Sequence, residues 1–245
     1  MTTAHQTLSK LLKLLEKRFF LSGDELLIHH ASNSPKVTLD VGCGKGNLMR
    51  SLLNLNRPKF QDSNTVGLDI FLPYLLRARG IYNDVVQCDV RFLPIKDASC
   101  DIIIANQIIE HLKKNDGFKL IKALEKILRE TIIITLPVSY NPKKHLEDDN
   151  PWQAHLSSWH PDEFKERGFK VYGYSGARFL RGERGLFKIK SKIITPFLFV
   201  LSLFTQLITY KLVTASYQML CIKRSFLTHP KIYNKSRLEI PESRV

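Results

Sequence analysis

The sequence predicts an α/β chain built on a doubly wound, mostly parallel sheet. Three observations carry that expectation. Short, nearly all-apolar segments recur with helical stretches between them, the mark of strands buried on both faces. The first of them runs through Thr38-Leu39-Asp40-Val41 directly into Gly42-Cys43-Gly44-Lys45-Gly46 and then into a helical pattern. Three successive strand segments also end in an acid, at Asp40, Asp69 and Asp89. Right-handed crossovers put such ends on one rim of a parallel sheet, where ligands of open α/β folds bind.

Each element follows from its own residues. Residues 1–32 read as an N-terminal helical cap. Leu8 to Leu21 places apolar residues at helical spacing with lysines between, and Glu25 to His30 forms a short second helix. Such a cap covers the start of the sheet; a lid or a basic interfacial helix is the alternative. Lys36 to Leu39 is the first strand, and Asn47 to Leu55 the helix after the glycine turn. Asn64 to Ile70 is the second strand. Pro73 then suits the first turn of a helix that reaches Arg79. Val85 to Val90 and Cys100 to Ala105 are the third and fourth strands. A helix over Phe118 to Arg129 and a fifth strand over Thr131 to Leu136 follow.

The glycine turn has a chemistry of its own. Its pattern is G-x-G-x-G, whereas dinucleotide sites use G-x-G-x-x-G. Asp40 just before it would repel a pyrophosphate and attract a cationic amino-acid ligand. The bland alternative is an ordinary β–α turn. Asp69 stands 23 residues after Gly46, where nucleotide-binding units place a ribose-binding carboxylate. Asn106, after the fourth strand, would share the crevice with the three acids.

This array resembles the class I S-adenosylmethionine (SAM) methyltransferases, motif by motif, from Val37 to about Pro137. The resemblance implies a Rossmann-like sheet of seven strands with SAM as cofactor. Asp40, Gly42, Gly44 and Gly46 would hold the amino-acid end. Asp69 would take the ribose hydroxyls, Ile70 would pack on the adenine, and Asp89 with Val90 would meet its amino edge. Asn106 and Ile109-Glu110-His111, similar to the family's "EHL" segment, would line the sulfonium side. His155 and Ser157 ahead of Gly168-Phe169 resemble the "H-x-S … Gly-Phe" segment of small-molecule methyltransferases. It also implies a sixth strand over Phe169 to Tyr174 and a seventh near Ser216 to Lys223, inserted antiparallel. The chain departs from the family's base-amine methylases, because no Asn/Asp-Pro-Pro-Tyr/Phe tetrapeptide follows the fourth strand. His111 and His155, with His160 behind them, are candidate general bases, because imidazole titrates near neutral pH. The bland reading of each is structural. No metal-ligand cluster stands out in the sequence.

Composition narrows the partners. The 245 residues carry a net charge of +14, which favours phosphate-bearing partners such as an anionic membrane or nucleic acid. Four cysteines without a C-x-x-C pair read as buried thiols in a reducing compartment. Lysines interrupt the N-terminal apolar pattern, so it does not read as a signal peptide. Ile193 to Tyr210 is an uncharged stretch of 18 residues, an extra apolar helix before the last strand. At about 1.5 Å per residue it barely matches a hydrocarbon core of roughly 30 Å. Its polar residues fall in one stripe, as in a helix lying at an interface; burial in the domain or a dimer seam is the alternative. The methyltransferase domain is expected over 33–225, with a basic tail over 226–245. The expected function is methylation of a small molecule, a lipid or an amphiphile, by a cytoplasmic protein attached peripherally to a membrane. An RNA or tRNA methyltransferase, or a non-catalytic SAM-binding regulator, is the alternative.

Overall fold

The computed structural model describes residues 23–138, 149–182, 185–189, 191 and 193–225. The expected helix over 8–21, the tail over 226–245, and part of the segment between 138 and 160 lie outside the described residues.

Seven strands form one sheet in the order β3-β2-β1-β4-β5-β7-β6. They are β1 (Val37–Val41), β2 (Asn64–Asp69), β3 (Asp84–Gln87), β4 (Cys100–Asn106), β5 (Leu128–Pro137), β6 (Lys170–Ala177) and β7 (Ser216–Arg224). The first five pair in parallel, and β7 runs antiparallel between β5 and β6. The chain winds outward from β1 to β3, then returns to lay β4 on the other side of β1. The crevice for a ligand therefore lies at the ends of β1 and β4, where the winding reverses.

The all-apolar strands sort their side chains by the period of two. On β4, Ile103 and Ala105 join the core formed with Leu120, Ile121, Leu124 and Ile127 of α4 (Lys114–Ile127). Ile102 and Ile104 point the other way, into the core holding Leu26 and Leu27 of α1 (Gly23–His30) and Leu52 of α2 (Asn47–Phe60). Two faces, both dry, explain why these strands show no polar alternation. Residues of α3 (Leu72–Ala78) pack at the far side with Met49 and Tyr82.

Several boundaries move. The helix expected to stop at Leu55 continues to Phe60, whose buried ring joins the α1–α2 core. Arg129, read as the end of a helix, lies in β5 instead. Leu128 pairs with Cys100, and the Arg129 guanidinium donates to Asp101 on β4 at 3.0 Å. Cys88 to Val90, read as strand, fall beyond β3.

The uncharged stretch before β7 forms α6 (Ile194–Thr209), and its polar stripe faces inward. Strand β6 is a sheet edge, so its outer N–H and C=O groups need partners. Gln206 supplies two of them. Its Oε1 accepts from the Gly176 N–H at 2.9 Å, and its Nε2 donates to the Gly173 carbonyl at 3.0 Å. Thr205 Oγ1 accepts from the Ala177 N–H at 3.1 Å, and the Tyr210 carbonyl from the Gly173 N–H at 3.2 Å. Gly173 meets the Thr209 carbonyl and Gly176 meets Ser202, so helix and strand run antiparallel. The apolar side of α6 faces outward: Phe197 is 74 % exposed, Phe204 64 % and Ile208 65 %. Among the described residues no helix is long and apolar enough to cross a membrane.

Gln206→Leu keeps the volume and removes both edge bonds, leaving a buried donor and a buried acceptor. Each unsatisfied group costs about 1–3 kcal/mol, so chemical denaturation should show a loss of roughly 2–6 kcal/mol. Thr205→Val, which strands only the Ala177 N–H, should cost less.

Candidate functional site

The site grows from the turn after β1. Gly42 has φ 73°, a left-handed conformation, and a Cβ there would lie 2.7 Å from Ile108 Cδ1. Only glycine fits both constraints. The Cys43 N–H donates to the Leu68 carbonyl at 2.8 Å, which pins the turn to β2. Asp69, at the end of β2, completes the grip. Its Oδ2 accepts from the Gly44 N–H at 2.8 Å and its Oδ1 from the Phe71 N–H at 2.9 Å. Burial pushes the Asp69 carboxyl up, and the backbone donors from Phe71 and Gly44 oppose that shift.

Asp40 is buried beneath the turn. Its Oδ2 accepts from the Tyr82 hydroxyl at 2.6 Å, while its Oδ1 meets no donor among the described residues. Burial raises its pKa to about 7, with the Tyr82 hydrogen bond opposing and the nearby Asp69 adding to the rise. A buried carboxylate with an open oxygen at a ligand hollow suits a cationic group.

Two hollows share Gly42, Gly44, Tyr74 and Gln153, and so make one crevice. Asp40, Lys45 and Asn106 line the first. Asp69, Ile70, Asp89, Val90, His111 and Trp152 line the second. All the expected site residues except Gly46 and His155 line this crevice. Gly46 faces away from the crevice: a Cβ there would lie 2.6 Å from Ile81 Cδ1, and with φ 77° the residue starts α2. Asp89 is held by Arg91, whose Nη2 lies 2.5 Å from Oδ2, and this ion pair with its hydrogen bonds keeps the Asp89 carboxyl below the usual range.

The histidines divide. His160 caps α5 (Pro161–Lys165), and its own N–H donates to the Glu163 carboxylate at 2.7 Å. That cap is the structural reading of the third candidate base. His111 and His155 meet edge to face at 4.8 Å between ring centroids. Glu110 lies beside them, 3 % exposed, in a 3-10 turn over Ile109–His111. The sequence showed no metal-ligand cluster, yet ligand atoms of Glu110, His111 and His155 lie within 4.8 Å of one another.

Sequence reasoning missed Tyr74, Tyr82 and Gln153. Gln153 Nε2 donates to the Tyr74 hydroxyl at 2.8 Å, which ties the segment after residue 149 across the crevice. The ammonium of Lys45 sits 4.9 Å from the Tyr74 ring centroid. Tyr74 directly follows Pro73 at the start of a helix on the ligand rim, a signal that could have drawn attention to it.

The crevice fits SAM by its own chemistry. Asp40 Oδ1 suits an ammonium, Asp69 suits hydroxyls, and Ile70 and Val90 give an apolar seat for a flat ring. Residues 39–134 match a family model described as a methyltransferase domain. Over 148 residues the chain is 28% identical to malonyl-[acyl-carrier protein] O-methyltransferase of Pseudescherichia vulneris, covering 58% of this chain and 54% of that protein. The chain thus spans about half the length of this curated relative. Among solved structures, one similar fold is a SAM-dependent methyltransferase from Archaeoglobus fulgidus, with TM-score 0.51 and 18% identity over 86% of this chain and 98% of that one. A second comes from the complex between the Haloferax volcanii Trm112 methyltransferase activator and a methyltransferase. Its TM-score is 0.55, with 15% identity over 91% of this chain and 96% of that one. At such identities the structures speak for the fold, which is that of class I methyltransferases. The family match adds SAM as the cofactor.

The pH dependence of SAM affinity follows from Asp40. In the free protein its carboxyl is protonated below pH about 7. Pairing with an ammonium needs the ionised form, so binding favours loss of that proton. Affinity should therefore fall as pH drops below about 7, by up to tenfold per unit. Calorimetry across pH 5–8 measures it, and Asp40→Asn should weaken binding and flatten the slope.

Proposed function

We propose that this chain, whose residues 39–134 match the methyltransferase-domain model, methylates an oxygen of a small amphiphilic acceptor at a membrane surface. The observation that carries the catalytic part is the crevice itself. It joins an open buried carboxylate oxygen on Asp40 to a second hollow lined by His111, Trp152 and Leu156.

Bound SAM supplies a methyl group on a sulfonium, a good leaving group for in-line displacement. The protein supplies binding and position. Asp40 pairs with the ammonium, and Asp69 accepts from ribose hydroxyls with the lone pairs its backbone bonds leave over. Ile70 and Val90 pack on the adenine. The amino edge of that ring is offered the Asp89 oxygens, which Arg91 holds in place. Gly42 and Gly44 let the amino-acid end approach the backbone. Asn106 lines the approach to the sulfonium; its Oδ1 accepts from the Thr135 hydroxyl at 2.5 Å, which fixes the amide. Asn150, Trp152, Gln153 and Leu156 line the second hollow. Holding both reactants in line is worth roughly 7–11 kcal/mol of the barrier.

The oxygen acceptor is supported by the relative's name, an O-methyltransferase. The membrane is supported by α6. Ile193, Phe197, Val200, Phe204 and Leu207 follow one another along its outer face, each 43 % exposed or more. Ser202 meets Gly176 one residue before β6 ends, and the helix runs antiparallel to that strand. Its first eight residues, about 12 Å long, thus project past the rim that carries the crevice. Phe179, Leu186 and Ile189 are also exposed apolar residues, in the segment between β6 and α6. Arg178, Lys188 and Lys211 are exposed cations before and after the helix. Each contributes about 1 kcal/mol near an anionic leaflet. An acceptor anchored in that leaflet would reach the crevice without leaving it.

Two measurements check the proposal. With methyl-labelled SAM and extracts of metabolites and lipids, label should pass to the organic phase; label that stays in SAM with every extract would sink the activity. Flotation should carry the protein up with anionic vesicles, less so in high salt. Phe197→Glu with Phe204→Glu should abolish flotation and spare SAM binding. Failure of the wild type to float, with a dimer in solution, would assign the apolar face to a second copy instead.

A further inference from the structure

We propose that Glu110, His111 and His155 form a binding site for a first-row divalent transition-metal ion at the acceptor end of the crevice. The role given to the ion rests on the methyl-transfer reading; the site itself rests on geometry.

The three residues come from two separate elements. Glu110 and His111 sit in the turn after β4, and His155 comes from the segment that crosses the crevice. Backbone bonds fasten the two pieces together. The Glu110 carbonyl accepts from the Leu156 N–H at 2.8 Å and from the Ser157 N–H at 3.1 Å. A side chain adds to this: Ser157 Oγ donates to the Ile109 carbonyl at 3.4 Å. The two histidines are thus held in one place by the fold.

The orientation suits ligation. His111 Nδ1 lies 3.1 Å from the Ala154 carbonyl, and a carbonyl can only accept. That fixes the hydrogen on Nδ1 and leaves the lone pair of the neutral ring on Nε2. Metal-binding histidines are set in this way by a hydrogen bond from the other ring nitrogen. The ligand atoms lie within 4.8 Å of one another. Bonds of about 2.0–2.2 Å to a common ion bring cis ligands to roughly 3 Å, which small side-chain rotations can reach. Glu110 is buried, and a buried carboxylate is stabilised by a neighbouring cation.

The ligand types select the ion. Two imidazoles and one carboxylate favour zinc, cobalt or iron(II) over magnesium, and they leave coordination positions open. His111 lines the second hollow, so an open position faces the acceptor. An acceptor oxygen bound there loses its O–H proton to water. Its lone pair then forms the O–C bond to the SAM methyl, and the C–S bond breaks with its electron pair left on sulfur. In this arrangement the histidines act as ligands, and neither is the general base.

The test uses the full chain freed of metal by a chelator and titrated with Co2+, followed by visible absorption. The demethylated product of SAM, S-adenosylhomocysteine, is titrated in parallel. One equivalent of Co2+ should bind and give the d–d bands of a nitrogen-ligated ion. Zn2+ should displace it, and a large excess of Mg2+ should not. Glu110→Gln and His155→Asn should each weaken Co2+ binding at least tenfold and keep S-adenosylhomocysteine binding. His155 is only partly buried, so its variant guards against misfolding at the buried Glu110. A folded wild type that binds S-adenosylhomocysteine but no stoichiometric Co2+ overturns the site, as do variants that bind Co2+ unchanged. Co2+ binding without S-adenosylhomocysteine binding would uphold the site and overturn the methyltransferase reading.

Discussion

The carboxylate of Asp69 holds two turns with its two oxygens. One oxygen takes the Gly44 N–H of the turn after β1, and the other takes the Phe71 N–H of the turn after β2. Hydrogen bonds to a charged acceptor are among the stronger ones, about 1.5–3 kcal/mol each, and here they lie at the edge of a dry core. They fix the glycine turn so that Gly42 lies under Ile108 with no room for a side chain. Ile108 in turn leads into the turn that carries Glu110 and His111. A displacement at Asp69 would reach the cofactor end and the acceptor end of the crevice together.

The sheet was legible because its strands are buried on both faces, which leaves short apolar runs as their signature. The crevice residues were legible because a parallel sheet brings every strand end to one rim, whatever the side chains between. Helix ends were less legible. Arg129 has good helical propensity, but Leu128 is already paired with Cys100, and the Asp101 carboxylate on β4 draws the Arg129 guanidinium into the sheet. Gly46 was expected at the ligand from its spacing, yet it lines neither hollow, and the Ile81 side chain occupies the space beside it. His160 was readable as a cap, since Pro161, Asp162 and Glu163 follow it. The Glu110–His111–His155 group was not readable, because two chain segments must fold together to make it.

The helix α6 carries a pattern whose direction the sequence leaves open. Ser202, Gln206 and Thr209 do fall on one stripe, as spacing indicated, and all three are buried. Gln206 turns inward to bond β6, an edge strand whose outer N–H and C=O groups need partners, and Ser202 Oγ accepts from Arg181 Nη2 at 3.0 Å. The apolar residues are then forced outward. In a sequence, polar stripe and apolar stripe look alike whichever faces the protein; only the unpaired strand edge decides.

The crevice is proposed above as a SAM site, with Asp69 at its base. Titration calorimetry of the purified chain with S-adenosylhomocysteine, beside Asp69→Ala, tests it most directly. The account predicts one-to-one binding by the wild type. The variant, still folded by circular dichroism, should bind at least tenfold more weakly, matching about 1.4 kcal/mol or more. A folded wild type that gives no heat with either S-adenosylhomocysteine or SAM, or a variant that binds as well as the wild type, would contradict it.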